Sequence, residues 1–217
     1  MILLPVKNLV HAKQRLAAVL AQSARTELAQ VMLLDVLEVL AAWSDRPAVS
    51  LVTSDRFALD LARQFGFDVI PDNDNRSETD AIELATRAAQ ARGVKSILVI
   101  PGDIPLINVW ELEKISASAP AEGCVLVPSA DGRGTNAAWR SPAGLFSLRF
   151  GNDSFQPHLA AARSSGKPCV TLSLPGIGLD VDNPSDLRQL ANAPGETRSQ
   201  RLARQWGFAN LPQAANQ

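Results

Sequence analysis

The sequence predicts an α/β fold, a three-layer, Rossmann-like arrangement in which helices cover a mostly parallel sheet with a late antiparallel portion. Strand-like runs alternate with helical patterns up to about residue 118, after which strands predominate. The run Ile97–Ile100 is continuously apolar and rich in β-branched residues, as expected of a strand buried on both faces. In a chain of 217 residues, 46% of them hydrophobic, we expect one domain over residues 1–193 followed by a tail, 194–217.

The strands are predicted from short runs that are apolar or rich in β-branched residues. The first run accounts for the apolar N-terminus, which we interpret as a strand and not a signal peptide because it is short and Lys7 follows at once. The predicted strands are residues 1–6, 48–52, 67–70, 97–100 and 125–128, one ending near Arg140, 169–174, and a short one within 178–184.

Helices are predicted from apolar residues at helical spacing and from residues that favour helix ends. Ser23 and Asn108 are candidate N-caps, and Ser77 has Asp80 three residues on, in the form of a capping box. Asp35 interrupts the apolar spacing of the first long helix. The predicted helices are a short one after the loop 7–15, then about 24–43, 56–64, 78–91, 109–118, 155–164 and 184–190, a small one around 201–208, and a frayed tip at 213–217.

The composition argues against several classes of partner. The formal net charge is −1, from 21 basic and 22 acidic residues, so no global field favours nucleic acid or a membrane surface. No apolar stretch approaches the length of a membrane span. Cys124 and Cys169 lack metal-ligand spacing and lie in apolar runs, which predicts buried, reduced thiols in a cytoplasmic protein.

Asp103 follows the predicted central strand in the segment Pro101-Gly102-Asp103-Ile104-Pro105. Open α/β sheets bind ligands at the carboxyl ends of their strands, and proline on both sides stiffens this turn. One interpretation is therefore a ligand for a divalent metal. The alternative is a turn aspartate that accepts backbone hydrogen bonds.

Three basic side chains, Lys7, Lys13 and Arg15, follow the first predicted strand. Cations at this edge of a sheet suit phosphate oxygens, although a solvated helix start would also explain each of them. Late in the chain, Asp180 and Asp182 flank Val181. In an extended strand they would point to opposite faces, so we expect at most one to join Asp103 on a metal unless the backbone bends.

Two further segments could contact an anionic ligand. Thr135 and Asn136 lie in a glycine-rich turn, and Gly151 and Ser154 lie where a helix begins. Free backbone N–H groups and a hydroxyl at a helix start suit a phosphate, although Ser154 could also cap its own helix. His158 lies one turn into that helix and either faces the cleft or has a structural role.

Taken together, these motifs resemble the 2-phospholactate guanylyltransferase family of coenzyme F-420 biosynthesis, which includes phosphoenolpyruvate and 3-phosphoglycerate guanylyltransferases. The resemblance spans about residues 1–190 and rests on the order of several motifs. The motifs are Pro5-Val6-Lys7-Asn8-Leu9, Ala12-Lys13-Gln14-Arg15-Leu16, Pro101 to Leu106, Asp131 to Asn136, Phe150 to Phe155 with His158, and Leu179 to Leu187.

The resemblance implies a fold of the nucleotide-diphospho-sugar transferase type, with GTP, Mg²⁺ and a phosphorylated three-carbon acid as ligands. It implies that Thr135, Gly151 and Ser154 bind the acid, with Asn136 beside them. The metal candidates are Asp103, Asp180 and Asp182. One segment departs from the family, because residues 76–81 replace a usual Gly-Leu-Asn-x-Ala.

The implied reaction transfers GMP from GTP to the phosphate of the acid and releases pyrophosphate. Asp103, Lys7, Lys13 and Arg15 would act by positioning and charge neutralisation, and the ionised phosphate needs no side-chain base. The alternatives are another nucleotidyltransferase of this fold, such as a cytidylyl- or molybdopterin guanylyltransferase, or a non-catalytic nucleotide-binding module. Both a monomer and a homodimer are compatible with the sequence.

Overall fold

The computed structural model describes residues 1–74, 76–151 and 153–209, so Asn152 and the predicted frayed tip at 213–217 lie outside the described residues. The strands are β1 (Ile2–Val6), β2 (Val49–Thr53), β3 (Asp68–Pro71), β4 (Ile97–Val99), β5 (Gly123–Pro128), β6 (Thr135–Ser141) and β7 (Cys169–Thr171). The helices are α1 (Gln22–Ala42), α2 (Arg56–Phe65), α3 (Glu78–Ala91), α4 (Val109–Ser118), α5 (Phe155–Ser164), α6 (Pro175–Gly178), α7 (Pro184–Asn192) and α8 (Arg198–Gln205).

The strands form one mixed sheet in the order β3-β2-β1-β4-β6-β5-β7. Every neighbouring pair is parallel except the two that involve β6, which runs antiparallel to both β4 and β5. The predicted α/β class, with a mostly parallel sheet and a late antiparallel portion, is therefore confirmed.

Both faces of the sheet are covered, because alternate residues of each buried strand point to opposite sides. On one face Ile2 and Leu4 of β1 pack with apolar residues of α1, α2 and α4. On the other face Leu3 packs with residues of α3 and α5. The continuous apolar sequence of β4 follows from this burial on two sides.

The reversed strand β6 decides which residues reach the functional edge of the sheet. Val99, the last residue of β4, pairs with Ala138 in an antiparallel register. The chain leaving β4 therefore runs beside the start of β6, so Thr135 and Asn136 lie at the same edge as the carboxyl ends of the parallel strands.

A third apolar cluster joins the late helices to the rest of the molecule. Leu187 and Leu190 of α7 and Ala203 of α8 pack with Leu28 and Met32 of α1. This cluster holds the chain segment before α7 close to the loop that follows β1, because Leu16 and Val181 also belong to it.

Asp35, the polar residue that interrupts the spacing of α1, fixes the start of α8. It is almost fully buried, and its carboxylate accepts the backbone N–H groups of Arg198 (3.1 Å) and Ser199 (2.9 Å). The hydroxyl of Ser199 also donates to it. A carboxylate on the first turn of a helix satisfies amides that have no partner within the helix.

Two local predictions are wrong. Ser23 does not cap α1, because that helix begins at Gln22 and its N-cap residue is Ala21. The short strand predicted within 178–184 is replaced by the helical turn α6 and an irregular segment, since Pro175 begins a helical turn and α7 starts at Pro184. The loop 7–15 contains two single 3-10 turns, Leu9–His11 and Gln14–Leu16.

The longest helix in the described part of the chain is α1, with 21 residues, and none of the described helices combines the length and the apolar character needed to cross a membrane. Cys124 and Cys169 are free thiols in paired positions of β5 and β7. Cys124 is buried as predicted, whereas Cys169 is only half-buried.

Candidate active site

Two neighbouring cavities open at the edge of the sheet where the parallel strands end. The first has a volume of about 590 Å³ and is lined by the loop after β1 and the turn after β4. The second, of about 630 Å³, is lined by the β5–β6 turn, the start of α5 and the segment before α7. Five residues line both cavities and so form the boundary between them: Arg15, Glu78, Pro101, Asp103 and Asp182.

Lys13 links the loop after β1 to two aspartates that are distant in the sequence. Its Nζ lies 2.5 Å from an oxygen of Asp103 and 2.9 Å from an oxygen of Asp182. The lysine side chain is only 7% exposed. Burial alone would lower its pKa, but the charges and hydrogen bonds of the two aspartates raise the pKa of Lys13 above its usual value.

The backbone of Lys13 has a positive φ of 56°, in the left-handed region. For a residue other than glycine this conformation costs about 1 kcal/mol or more. Such outliers persist where the surroundings hold them, and they concentrate at functional sites. The strain therefore supports a specific role for this lysine.

Asp103 is positioned by close packing and by a link to the late loop. A side chain at the preceding Gly102 would be crowded, because a Cβ there would lie 3.2 Å from the Leu33 side chain of α1. The carbonyl of Asp103 accepts the N–H of Val181 at 3.1 Å. Because the segment around Val181 is not an extended strand, the argument that Asp180 and Asp182 must diverge does not apply to it.

Asp182 and Asp180 are held by different partners. The N–H groups of Asp182 and Asn183 both donate to Asp186 at 2.9 Å, so this carboxylate in the first turn of α7 shapes the loop. Asp180 accepts a hydrogen bond from Asn136 at 2.9 Å. Burial, together with the charges of Asp103 and Asp182, raises the pKa of Asp180 to about 6.

The amide nitrogen of Asn136 also contacts the carbonyls of Ile177 (2.9 Å) and Gly178 (3.1 Å). Its donors are thus used inside the protein, and it fixes the loop that carries Asp180. Binding of a substrate by Asn136 stays a prediction, with the side-chain oxygen as the group left for it.

The other two basic residues of the first loop have separate partners. Lys7 forms an ion pair with Asp72 at 2.5 Å, and Asp72 itself is nearly fully buried. Arg15 is largely exposed and contacts Asp182 at 3.2 Å. Together with Lys13, these residues place three cations on the wall of the first cavity.

Thr135, Ser154 and Gly151 lie together on the wall of the second cavity. The hydroxyl of Ser154 is 3.4 Å from that of Thr135. Ser154 precedes α5 but forms no capping hydrogen bond with its side chain, so the capping interpretation is wrong. Gly151 has a φ of 139° and no neighbour within 4 Å of a would-be Cβ, which leaves its backbone open to the cavity.

The shared boundary is rich in carboxylate oxygens, which are the ligands that Mg²⁺ prefers. Within the described ranges no group of three or more His, Cys, Asp or Glu side chains is arranged to hold a metal ion. Mg²⁺ in nucleotide sites is usually held by one or two carboxylates and by substrate phosphates. The donor set formed by Asp103 and Asp182 fits that arrangement.

Sequence reasoning missed two groups in this site. Glu78, the first residue of α3, lines both cavities, and burial together with the charges of Asp103 and Asp182 raises its pKa to about 7. The N-cap Ser77 predicted where this helix begins, but it did not predict that the Glu78 side chain points towards the cavities. Asp72 lay in a turn-rich segment, and only the fold shows that it pairs with Lys7.

A family model described as "Guanylyl transferase CofC like" matches residues 1–217 of this chain. A phosphoenolpyruvate guanylyltransferase of Roseiflexus castenholzii is 35% identical over 204 residues, covering 94% of this chain and 93% of that protein. A 2-phospho-L-lactate guanylyltransferase of Methanothermobacter thermautotrophicus is 30% identical over 210 residues, covering 97% and 92%. A crystal structure from Desulfovibrio desulfuricans, described as a nucleotide-diphospho-sugar transferase, has a TM-score of 0.77 at 18% identity, with coverage of 96% and 97%.

Proposed function

Because this chain belongs to the CofC-like guanylyl transferase family, we propose that it transfers GMP from GTP to the phosphate of a small phospho-carboxylic acid and releases pyrophosphate. The observation that carries the proposal is the boundary between the two cavities, where Lys13 contacts both Asp103 and Asp182. A transfer between two bound anions needs two adjacent pockets with charge-compensating groups where they meet.

We assign GTP to the first cavity. Lys7, Lys13 and Arg15 there suit the oxygens of a triphosphate, and apolar residues such as Leu9 and Met32 also line the space. The acid then occupies the second cavity, where the hydroxyls of Thr135 and Ser154 and the backbone at Gly151 offer hydrogen-bond donors.

The chemistry requires no side-chain base. A phosphate monoester has a second pKa of about 6, so the acid's phosphate is largely ionised at neutral pH. One of its oxygens attacks the α-phosphorus of GTP in line, the bond from that phosphorus to the bridging oxygen breaks, and pyrophosphate leaves. Arg15 at the boundary, and Lys13 beside it on the wall of the first cavity, would reduce the repulsion between the two anions.

We propose Asp103 and Asp182, with Asp180 beside them, as the residues that would hold Mg²⁺. When bound, the ion supplies positive charge to phosphate oxygens. Lys13 contacts the carboxylates of Asp103 and Asp182 and so holds them close together.

The relatives act on phosphoenolpyruvate or 2-phospho-L-lactate according to their names. We propose that the substrate is one of these two acids or 3-phospho-D-glycerate, the third acid that the family resemblance implies. We further propose that the reaction belongs to the biosynthesis of coenzyme F-420 and takes place in the cytoplasm.

The direct test is to incubate the purified protein with Mg²⁺, GTP and each acid in turn, and to measure product mass and pyrophosphate. We expect a guanylyl diphospho-acid from at least one acid. ATP, CTP and UTP serve as matched controls, and preference for one of them would identify a different nucleotidyltransferase. GTP binding without pyrophosphate release from any acid would contradict the proposed activity.

A further inference from the structure

His158 of α5 is buried beside the second cavity, with only 1% of its surface exposed. Both of its ring nitrogens have a partner. Nε2 lies 2.7 Å from the backbone nitrogen of Arg149, and Nδ1 lies 2.9 Å from the hydroxyl oxygen of Thr135. The ring of Phe150 packs edge-on against it, with 5.5 Å between centroids.

These two contacts determine the tautomer of the ring. A backbone N–H can only donate, so Nε2 must accept the hydrogen bond from Arg149 and carries no proton. Burial and the positive charge of Arg140 lower the pKa of His158 to about 4, so the ring is neutral at pH 7. The single ring proton is therefore on Nδ1, which donates to the oxygen of Thr135.

This tautomer controls how many donors the Thr135–Ser154 pair can offer. The two hydroxyls contact each other, and that contact uses one of their two hydrogens. With Nδ1 as donor to Thr135, the other hydroxyl hydrogen stays available to the cavity. With Nδ1 as acceptor, Thr135 would donate to the ring and Ser154 to Thr135, which would leave the cavity no hydroxyl donor.

We propose that His158 is a positioning residue that keeps one hydroxyl hydrogen of the Thr135–Ser154 pair directed to an anionic oxygen of the phospho-acid. This inference rests on the proposed function, and it names the chemical group recognised there. Carboxylate and phosphate oxygens accept hydrogen bonds without donating them, so a donor in this position selects an anion.

Two variants separate this role from simple packing. In His158→Asn the side-chain amide reaches the Nδ1 position and can still donate to Thr135. In His158→Gln it reaches the Nε2 position, so it can accept from Arg149 but loses Thr135. We expect His158→Gln to raise KM for the acid about tenfold, because without the Nδ1 donor the Thr135 hydroxyl is no longer oriented and its hydrogen bond to the anionic oxygen is weakened. KM for GTP should stay within twofold, and His158→Asn should change the acid KM much less.

A double-mutant cycle with Thr135→Val tests the coupling directly. Once the hydroxyl is gone, adding His158→Gln should not raise KM for the acid further. Equal effects of the asparagine and glutamine variants, additive effects in the cycle, or a parallel rise in KM for GTP would each overturn the positioning role. Wild-type protein that forms no product with any acid would instead remove the proposed function, and this inference with it.

A measurement on the unsubstituted side chain does not depend on activity or on the folding of a variant. Nitrogen NMR of the isotope-labelled protein distinguishes an imidazole protonated at Nδ1 from one protonated at Nε2. The chain has only two histidines, so His11→Gln assigns the signals. A neutral ring with the proton on Nδ1 supports the inference, and a proton on Nε2 contradicts it.

Discussion

Lys13 and Asp103, which are 90 positions apart in the chain, meet at 2.5 Å between Nζ and Oδ2. The same nitrogen contacts Asp182, so a single cation connects the loop after β1, the turn after β4 and the segment before α7. The boundary between the cavities therefore contains opposite charges in contact. The charged side chains are held in place before substrate phosphates bind.

Asp103→Asn should lower kcat on the order of 10²-fold or more, because a neutral amide is a poorer ligand for the proposed Mg²⁺ and a poorer partner for Lys13. The fold should be retained, since the backbone carbonyl that binds Val181 is unchanged. Pyrophosphate release and thermal unfolding measure the two effects. Asp60→Asn, at an exposed position of α2, is the matched control. Near-wild-type turnover at ordinary Mg²⁺ concentrations would exclude the metal assignment for Asp103.

Ser154→Ala should chiefly weaken binding of the acid, because Ser154 forms no capping bond and its side chain is next to Thr135. A rise in the acid KM of up to about tenfold is expected, because the Thr135–Ser154 pair that faces the charged oxygen loses one of its hydroxyls. Ser164→Ala, at the other end of α5, is the control. An unchanged acid KM with a raised GTP KM would reverse the assignment of the two cavities.

Asp35→Ala should lower the free energy of unfolding by about 2 to 3 kcal/mol, because buried donors at the start of α8 lose their acceptor. Urea denaturation measures this change. Glu38→Ala is the control, since Glu38 contacts Arg198 from a side chain that is 40% exposed. Equal stabilities of the two variants would show that Asp35 does not hold α8.

The stability of the protein should fall between pH 6.5 and pH 4 partly because of His158. Its pKa is lowered to about 4 in the folded state by burial and by the Arg140 charge, against an ordinary value of 6.5. In this range the unfolded chain binds the proton and the folded chain does not, so acid favours unfolding by up to about 1.4 kcal/mol per pH unit. The stabilisation that comes from keeping His158 neutral in the folded protein is fully present above pH 6.5.

Urea denaturation of the wild type and His158→Gln at pH 7 and pH 5 isolates this effect, since the other titrating groups are common to both proteins. The wild type should lose more stability on acidification than the variant does. The same loss in both would mean that His158 titrates normally in the folded protein.

Local sequence patterns correctly predicted most strands of the sheet, the long helices and several helix ends. Ser77 and Asn108 cap α3 and α4 through their side chains, because that interaction depends on residues only three positions apart. The segment before α7 was mispredicted as a strand, since its shape is set by Asp186 and by contact with Asp103. The contact with Asp103 is distant in the sequence, so no local pattern records it.

The sequence indicated which residue types would meet at this edge of the sheet, but not which side chain would contact which. Asp103, Asp182 and the basic loop meet at one boundary, as the strand-end argument expected. That Lys13 lies between the aspartates, and that Glu78 joins them, depends on the relative placement of four separate chain segments. In the sequence, Glu78 drew attention only as part of segment 76–81, which differs from the usual motif of the family.

The antiparallel direction of β6 gives the cleft two parts with separate origins in the chain. The wall proposed for the nucleotide comes mainly from residues up to Asp103. The wall proposed for the acid comes mainly from later parts of the chain, the β5–β6 turn, the start of α5 and the segment around Asp180. Substitutions in these later segments would therefore change the choice of acceptor while the part of the cleft proposed for the donor keeps its geometry.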